Sequence, residues 1–139
     1  MTCCFIGHKD TPQSLFPAVM FKIDELIDMG ADTFYVGHNG AFDRMAYNTI
    51  RGRIELLNEK LNLNVVLAYI PKPGERPEYE YTVYPEELEK VPKRFAISKR
   101  NEWMIDRSDI VVCHVTKTFT NARKFRDYAI RKGKTIIDI

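Results

Sequence analysis

Short apolar runs alternate with longer stretches of helical spacing along the whole chain, and nothing else in the sequence narrows the fold so far. Runs at residues 3–6, 32–36, 64–70, 110–115 and 135–139 read as strands. Between the first two, Leu15, Phe16, Val19, Met20, Ile23, Leu26 and Ile27 recur at intervals of three and four, up to a stop at Gly30. Thr11 reads as the cap of that helix, with Pro12 at its first position. A second helix carries Phe42, Met45, Ala46, Ile50, Ile54 and Leu57 and runs to about residue 60; Gly52 weakens it without ending it. Further helices fall at 94–107, with Trp103, Met104 and Ile105, and after residue 121, with Ala122, Phe125 and Ala129 on one face.

Connections long enough to hold a helix join parallel strands by right-handed crossovers, so the pattern predicts an α/β sandwich of three layers around a mainly parallel sheet. The run at 64–70 is apolar on both faces, as a strand covered on both sides must be. The expected order of the five strands is 3-2-1-4-5. In such sheets ligands bind at the carboxyl ends of the strands where the order reverses. That point falls between the first and fourth strands, so loops 7–11, 37–44 and 116–121 should line one cleft.

The second of these loops, Val36-Gly37-His38-Asn39-Gly40-Ala41-Phe42-Asp43-Arg44, passes from a strand through two glycines into a helix. Glycine admits close approach of a ligand to the backbone, and a helix start offers unpaired N–H groups with partial positive charge, the makings of a phosphate site. The same glycines would also serve to shape a tight turn with no ligand at all.

The chain's 139 residues make one domain able to bury about two-thirds of its unfolded surface. A net charge of +2 argues against a dedicated nucleic-acid binder, while leaving room for an anion-binding cleft. No apolar run approaches the ~20 residues that span a bilayer, and the chain enters Cys3-Cys4-Phe5-Ile6 with no leader, so the expected location is cytoplasmic. Cys3, Cys4 and Cys113 then read as small core residues rather than disulfide partners.

Residues 71–94 hold five of the chain's seven prolines together with Tyr79, Tyr81 and Tyr84, with room for one short helical turn near Pro85-Glu86-Glu87-Leu88. A stretch this long suits a lid, with Tyr84 or Tyr81 stacking on a ligand's base. Packing of these rings beneath the loop is the alternative.

Taken together, Cys4-Phe5-Ile6-Gly7-His8, Gly37-His38-Asn39-Gly40-Ala41-Phe42-Asp43, Arg100-Asn101-x-Trp103-Met104-Ile105 and Ser108-Asp109 resemble the SLOG superfamily, which includes the Smf/DprA DNA-processing proteins and the Lonely-guy phosphoribohydrolases. The resemblance spans nearly the whole chain and is closest to small stand-alone members. It implies a Rossmann-like domain with a nucleotide or nucleotide derivative at the glycine turn, and by analogy a homo-oligomer. His38 and Asn39 depart from the superfamily's Gly-Gly-x-x-Gly-x-Asp turn. The hydrolase branch has Pro-Gly-Gly-x-Gly-Thr-x-x-Glu after its fourth strand; here that place reads Val115-Thr116-Lys117-Thr118-Phe119-Thr120-Asn121, without the glycines or the acid.

The expected ligand-binding set is Gly7, His8, Gly37, His38, Asn39, Gly40, Asp43, Arg44, Tyr84, Arg100, Asn101, Thr116, Thr118, Thr120 and Asn121. Asp43 can cap its own helix, accept hydroxyls of a ribose, or act as the catalytic carboxylate of a nucleotide N-glycosidase. Arg44 compensates its charge, and Arg100 could fork onto phosphate oxygens. Thr118, Thr120 and Asn121 can hold an anion or simply cap the last helix, with Lys117 or Lys124 adding charge. His8, His38 and His114 all lie near strand ends, yet their spacing matches no metal motif, and they read as hydrogen-bonding residues, not metal ligands. Single-stranded DNA binding is the weaker third alternative, since no dense basic stripe is present.

Overall fold

The computed structural model describes residues 1–57, 60–74 and 79–139. It is a three-layer α/β sandwich built on β1 (Thr2–Gly7), β2 (Thr33–Val36), β3 (Asn62–Val66), β4 (Thr82–Val83), β5 (Ile110–His114) and β6 (Thr135–Asp138). The helices are α1 (Phe16–Asp28), α2 (Ala41–Leu57), α3 (Ala96–Asp106) and α4 (Asn121–Arg131). All strand pairs are parallel, in the order β4-β3-β2-β1-β5-β6. The five expected strands keep their expected order, and the reversal falls between β1 and β5.

The sixth strand corrects the expectation of five. It comes from within 71–94, where Val65 N–H donates to Tyr81 O at 2.9 Å and Leu67 N–H to Val83 O at 2.8 Å. Two residues are too few to show an alternating pattern, and Tyr81 enters the pair with a left-handed φ of 61°. A 3-10 turn at Glu86–Leu88 follows, where the short helical turn is expected. Residues 75–78 of this stretch, and 58–59 beyond α2, lie outside the described residues.

The first helix also starts later than its sequence suggests. Thr11 donates its hydroxyl to His8 O at 2.7 Å, closing the loop after β1 instead of capping a helix. A 3-10 turn at Gln13–Leu15 leads into α1, which has Pro17 in its first turn. It ends at Gly30, whose φ of 104° lets Ala31 N–H reach back to Leu26 O at 2.9 Å.

The strands divide their side chains between two cores. Cys3, Phe5, Phe34, Val36, Val65 and Val112 pack with α1 and α2 through Val19, Ile23, Phe42, Met45 and Ile50. Cys4, Ile6, Val66, Val111 and Cys113 pack on the other face with Met104, Ile105, Ala122, Phe125 and Ala129. Each layer is the apolar stripe of two helices against one face of the pleat. The three cysteines are buried and free, and burial pushes each thiol up to about 12, so they behave as core residues. Among the described residues no helix is long and apolar enough to cross a membrane.

Candidate functional site

A cleft of about 440 Å³ opens at the carboxyl ends of the strands, beside the β1/β5 reversal. Gly7, His8, Lys9 and Asp10 enter it from the end of β1. Asn39 comes from the turn before α2 and Asp43 from the first turn of α2, Ile97, Arg100 and Asn101 from α3, Lys117 from the loop after β5, and Thr120 and Asn121 from the start of α4. Phe5, Ile6, Ala122 and Phe125 complete its lining. A floor of apolar strand ends with polar groups converging from three loops is the usual composition of a small-molecule site.

The glycines around this cleft are required by the protein's own packing. A Cβ on Gly7 would overlap the Phe42 ring. One on Gly37 would lie 2.7 Å from Asp43 Oδ2 and 3.1 Å from the Arg100 guanidinium carbon. Gly40 has φ 140°, and its Cβ would sit 2.5 Å from the Lys9 Cα; the adjoining Ala41 N–H donates to Lys9 O at 2.9 Å. Loop 7–11 is thus docked directly on the turn that starts α2.

Arg100 is only 2% exposed, and three of its N–H donors are committed internally. Nη1 donates to Val66 O at 3.0 Å, Nη2 to Asn39 Oδ1 at 2.9 Å and Nε to Asn101 Oδ1 at 2.8 Å. These three bonds make Arg100 a clamp joining β3, the α2 turn and α3. Asp43 sits half-buried beside it and accepts from Asn39 N–H at 3.1 Å, the capping geometry open to a carboxylate three residues into a helix. Burial raises the Asp43 carboxyl above its ordinary range, opposed by Arg100 and by the N–H groups of Asn39 and Gly37. Burial likewise lowers the Arg100 guanidinium, which Asp43 opposes.

His8 joins β1 to β5. Its Nε2 accepts from Thr116 N–H at 2.8 Å, which puts the neutral ring's proton on Nδ1. Burial, with Lys117 and His114 nearby, holds its pKa below the usual value. His114 stands edge-on to it, with 6.0 Å between ring centres, and bonds Ile139 O through Nδ1 at 2.9 Å. His38 is turned elsewhere: its Nε2 accepts from Ala68 N–H at 3.2 Å. Among the described residues no three His, Cys, Asp or Glu side chains converge in a way that could hold a metal ion.

At the opposite wall Thr120 caps α4, accepting from Arg123 N–H at 3.3 Å and donating to Lys117 O at 3.2 Å. Lys117 pairs with Asp10 at 2.7 Å, with both side chains more than half exposed. Of the expected set, Gly7, His8, Asn39, Asp43, Arg100, Asn101, Thr120 and Asn121 line the cleft, and Gly37 and Gly40 stand behind its wall. His38, Arg44, Tyr84, Thr116 and Thr118 do not line it. Arg44 is exposed and lies 5.8 Å from the centre of the Tyr79 ring. Tyr79 packs edge-on to Tyr47 of α2 at 4.9 Å, and Tyr84 packs against the first core. Residues 79–83 are thus fastened along β3 and α2, the 3-10 turns at Glu86–Leu88 and Lys93–Phe95 pack against α3, and none of the described part of 71–94 lines the cleft. Lys9, Asp10 and Ile97 line the cleft without a motif to announce them; the one available signal is that Lys9 and Asp10 share a strand-end loop with His8.

A scan against protein-family models gave no match, and a search of curated proteins gave none either.

Proposed function

We propose that the protein is a binding domain for a nucleotide or nucleotide derivative seated in this cleft. The observation that carries the reading is its position: a cleft of about 440 Å³ at the chain reversal of an all-parallel sheet, with polar side chains entering from the loops after β1, β2 and β5. The phosphate lies at the edge of the 37–44 turn, where Lys9 is packed against Gly40, and Lys117 also lines the cleft. Both lysines are exposed at the rim, which suits them to attract an anion. Calorimetry against nucleoside monophosphates, ADP-ribose, NAD and cyclic nucleotides tests the reading. Binding by at least one, weakened about tenfold by Lys9→Glu, is the expected result. Silence across the panel from folded protein would overturn it.

A second reading, a nucleotide N-glycosidase, is favoured by one feature. Asp43 is the carboxyl group lining the cleft that burial pushes upward, the direction needed for a general acid. Release of free base from a nucleoside monophosphate by the native protein, absent in Asp43→Asn, would establish it; no release from either would dismiss it.

A further inference from the structure

A guanidinium has five N–H donors and no acceptor, so an amide that hydrogen-bonds to it does so through its oxygen. Arg100 faces both Asn39 and Asn101, at 2.9 and 2.8 Å, so each amide is held with its oxygen toward the arginine. Their NH₂ groups are on the opposite side. Both residues are partly exposed and line the cleft, and among the described residues no group accepts from either NH₂. The buried arginine thus converts two adaptable amides into donors of fixed direction.

A carboxyl also stands at this corner. Asp43 Oδ2 and the Arg100 guanidinium lie 2.7 and 3.1 Å from the same point, the place of a Gly37 Cβ. The two groups carry opposite charges that partly offset each other, and Asp43 would oppose an anion directly. What the corner offers is two neutral donors and one acceptor carboxyl. A group that both accepts and donates fits this, as sugar hydroxyls or the amide edge of a base do; a phosphate does not.

We propose that Asn39 and Asn101 are specificity-determining donors that read an uncharged hydroxyl- or carbonyl-bearing part of the ligand, with Arg100 as the positioning residue that aims them. This rests on the nucleotide reading above and assigns a part of the ligand other than its phosphate. Asn39→Asp and Asn101→Asp discriminate, because an aspartate still accepts from Arg100 in the same shape but turns the cleft-facing donor into an acceptor. Adenosine, which lacks a phosphate, is the probe, so charge repulsion does not confuse the result.

The side-chain NH₂ resonances of both asparagines should shift when adenosine is added to ¹⁵N-labelled protein. Each variant should melt within a few degrees of the native protein and bind adenosine at least tenfold more weakly. Loss of the shift with 2′,3′-dideoxyadenosine assigns the sugar, and its persistence assigns the base. If AMP binds and the variants bind both AMP and adenosine as well as the native protein does, the donor pair is wrong and the nucleotide reading stands. Shifts of both NH₂ groups with orthophosphate alone would make this corner an anion site and overturn the proposal. Adenosine binding to which a phosphate adds nothing would remove the phosphate from the general reading and leave the donor pair standing. No perturbation by adenosine or AMP would overturn both.

Discussion

Two of the helices that begin at the cleft, α2 and α4, are built differently. The start of α2 is closed on itself: Asp43 takes the Asn39 N–H, Lys9 O takes the Ala41 N–H, and Arg100 holds Asn39 from behind. The start of α4 rests on one threonine, Thr120, and is flanked by Phe119, whose ring is fully exposed. The α2 turn carries the sequence signature of a ligand site, yet its glycines are accounted for by contacts with Asp43, Arg100 and Lys9. A glycine turn reports a close approach of something to the backbone. Here what approaches is other parts of the protein.

If α2's entry is a structural joint and α4's a light attachment, substitutions at the two should differ in size. Arg100→Met should cost the most, about 3–5 kcal/mol, since it strands Asp43 and frees Val66 O and both asparagines. Urea unfolding measures this, and a loss no greater than that from Thr120→Ala would abolish the contrast. Gly7→Ala comes next, at about 1–3 kcal/mol, because the added methyl must displace the Phe42 ring. Gly52→Ala, in mid-α2 with nothing within 4 Å, should instead stabilise by about 0.5–1 kcal/mol. Opposite signs for these two glycines in thermal melts would show that packing, and not glycine's flexibility, governs the α2 side.

Thr120→Ala should cost about 1 kcal/mol, the loss of one cap, and Thr120→Ser should restore most of it. The smallest effect is a slope with pH. His8 has its pKa lowered in the fold, so between that value and about 6.5 the unfolded chain holds a proton that the native protein does not. Its stabilising contribution is whole above about pH 6.5 and is lost as pH falls through that window, as protonation removes the acceptor for Thr116 N–H. Melting temperatures measured from pH 8 to 5 should fall less steeply in His8→Gln than in the native protein; parallel curves would free His8 of this role.

Much of the architecture was legible because it follows from local periodicity. Apolar residues at intervals of three and four between short apolar runs leave few arrangements other than a parallel sheet with helices on both faces, and the order then places the cleft. The residues closest to the strand ends, Gly7, His8, Asn39 and Asp43, could be named from that placement alone. Strand β4 could not, since two residues carry no pattern and its pairing depends on β3 having an open edge. Arg100 was visible as a cation on a helix, but whether a guanidinium meets a ligand or the protein's own carbonyls depends on what the fold brings to it. His38 and Tyr84 sit in sequence beside the site and in space against Ala68 and the first core. The layers, the strand order and the edge at which the loops gather depend on which faces must be buried, and periodicity alone carries that. Which polar groups satisfy one another and which are left to face the cleft came from the fold, because hydrogen bonds are directional and their partners lie tens of residues away.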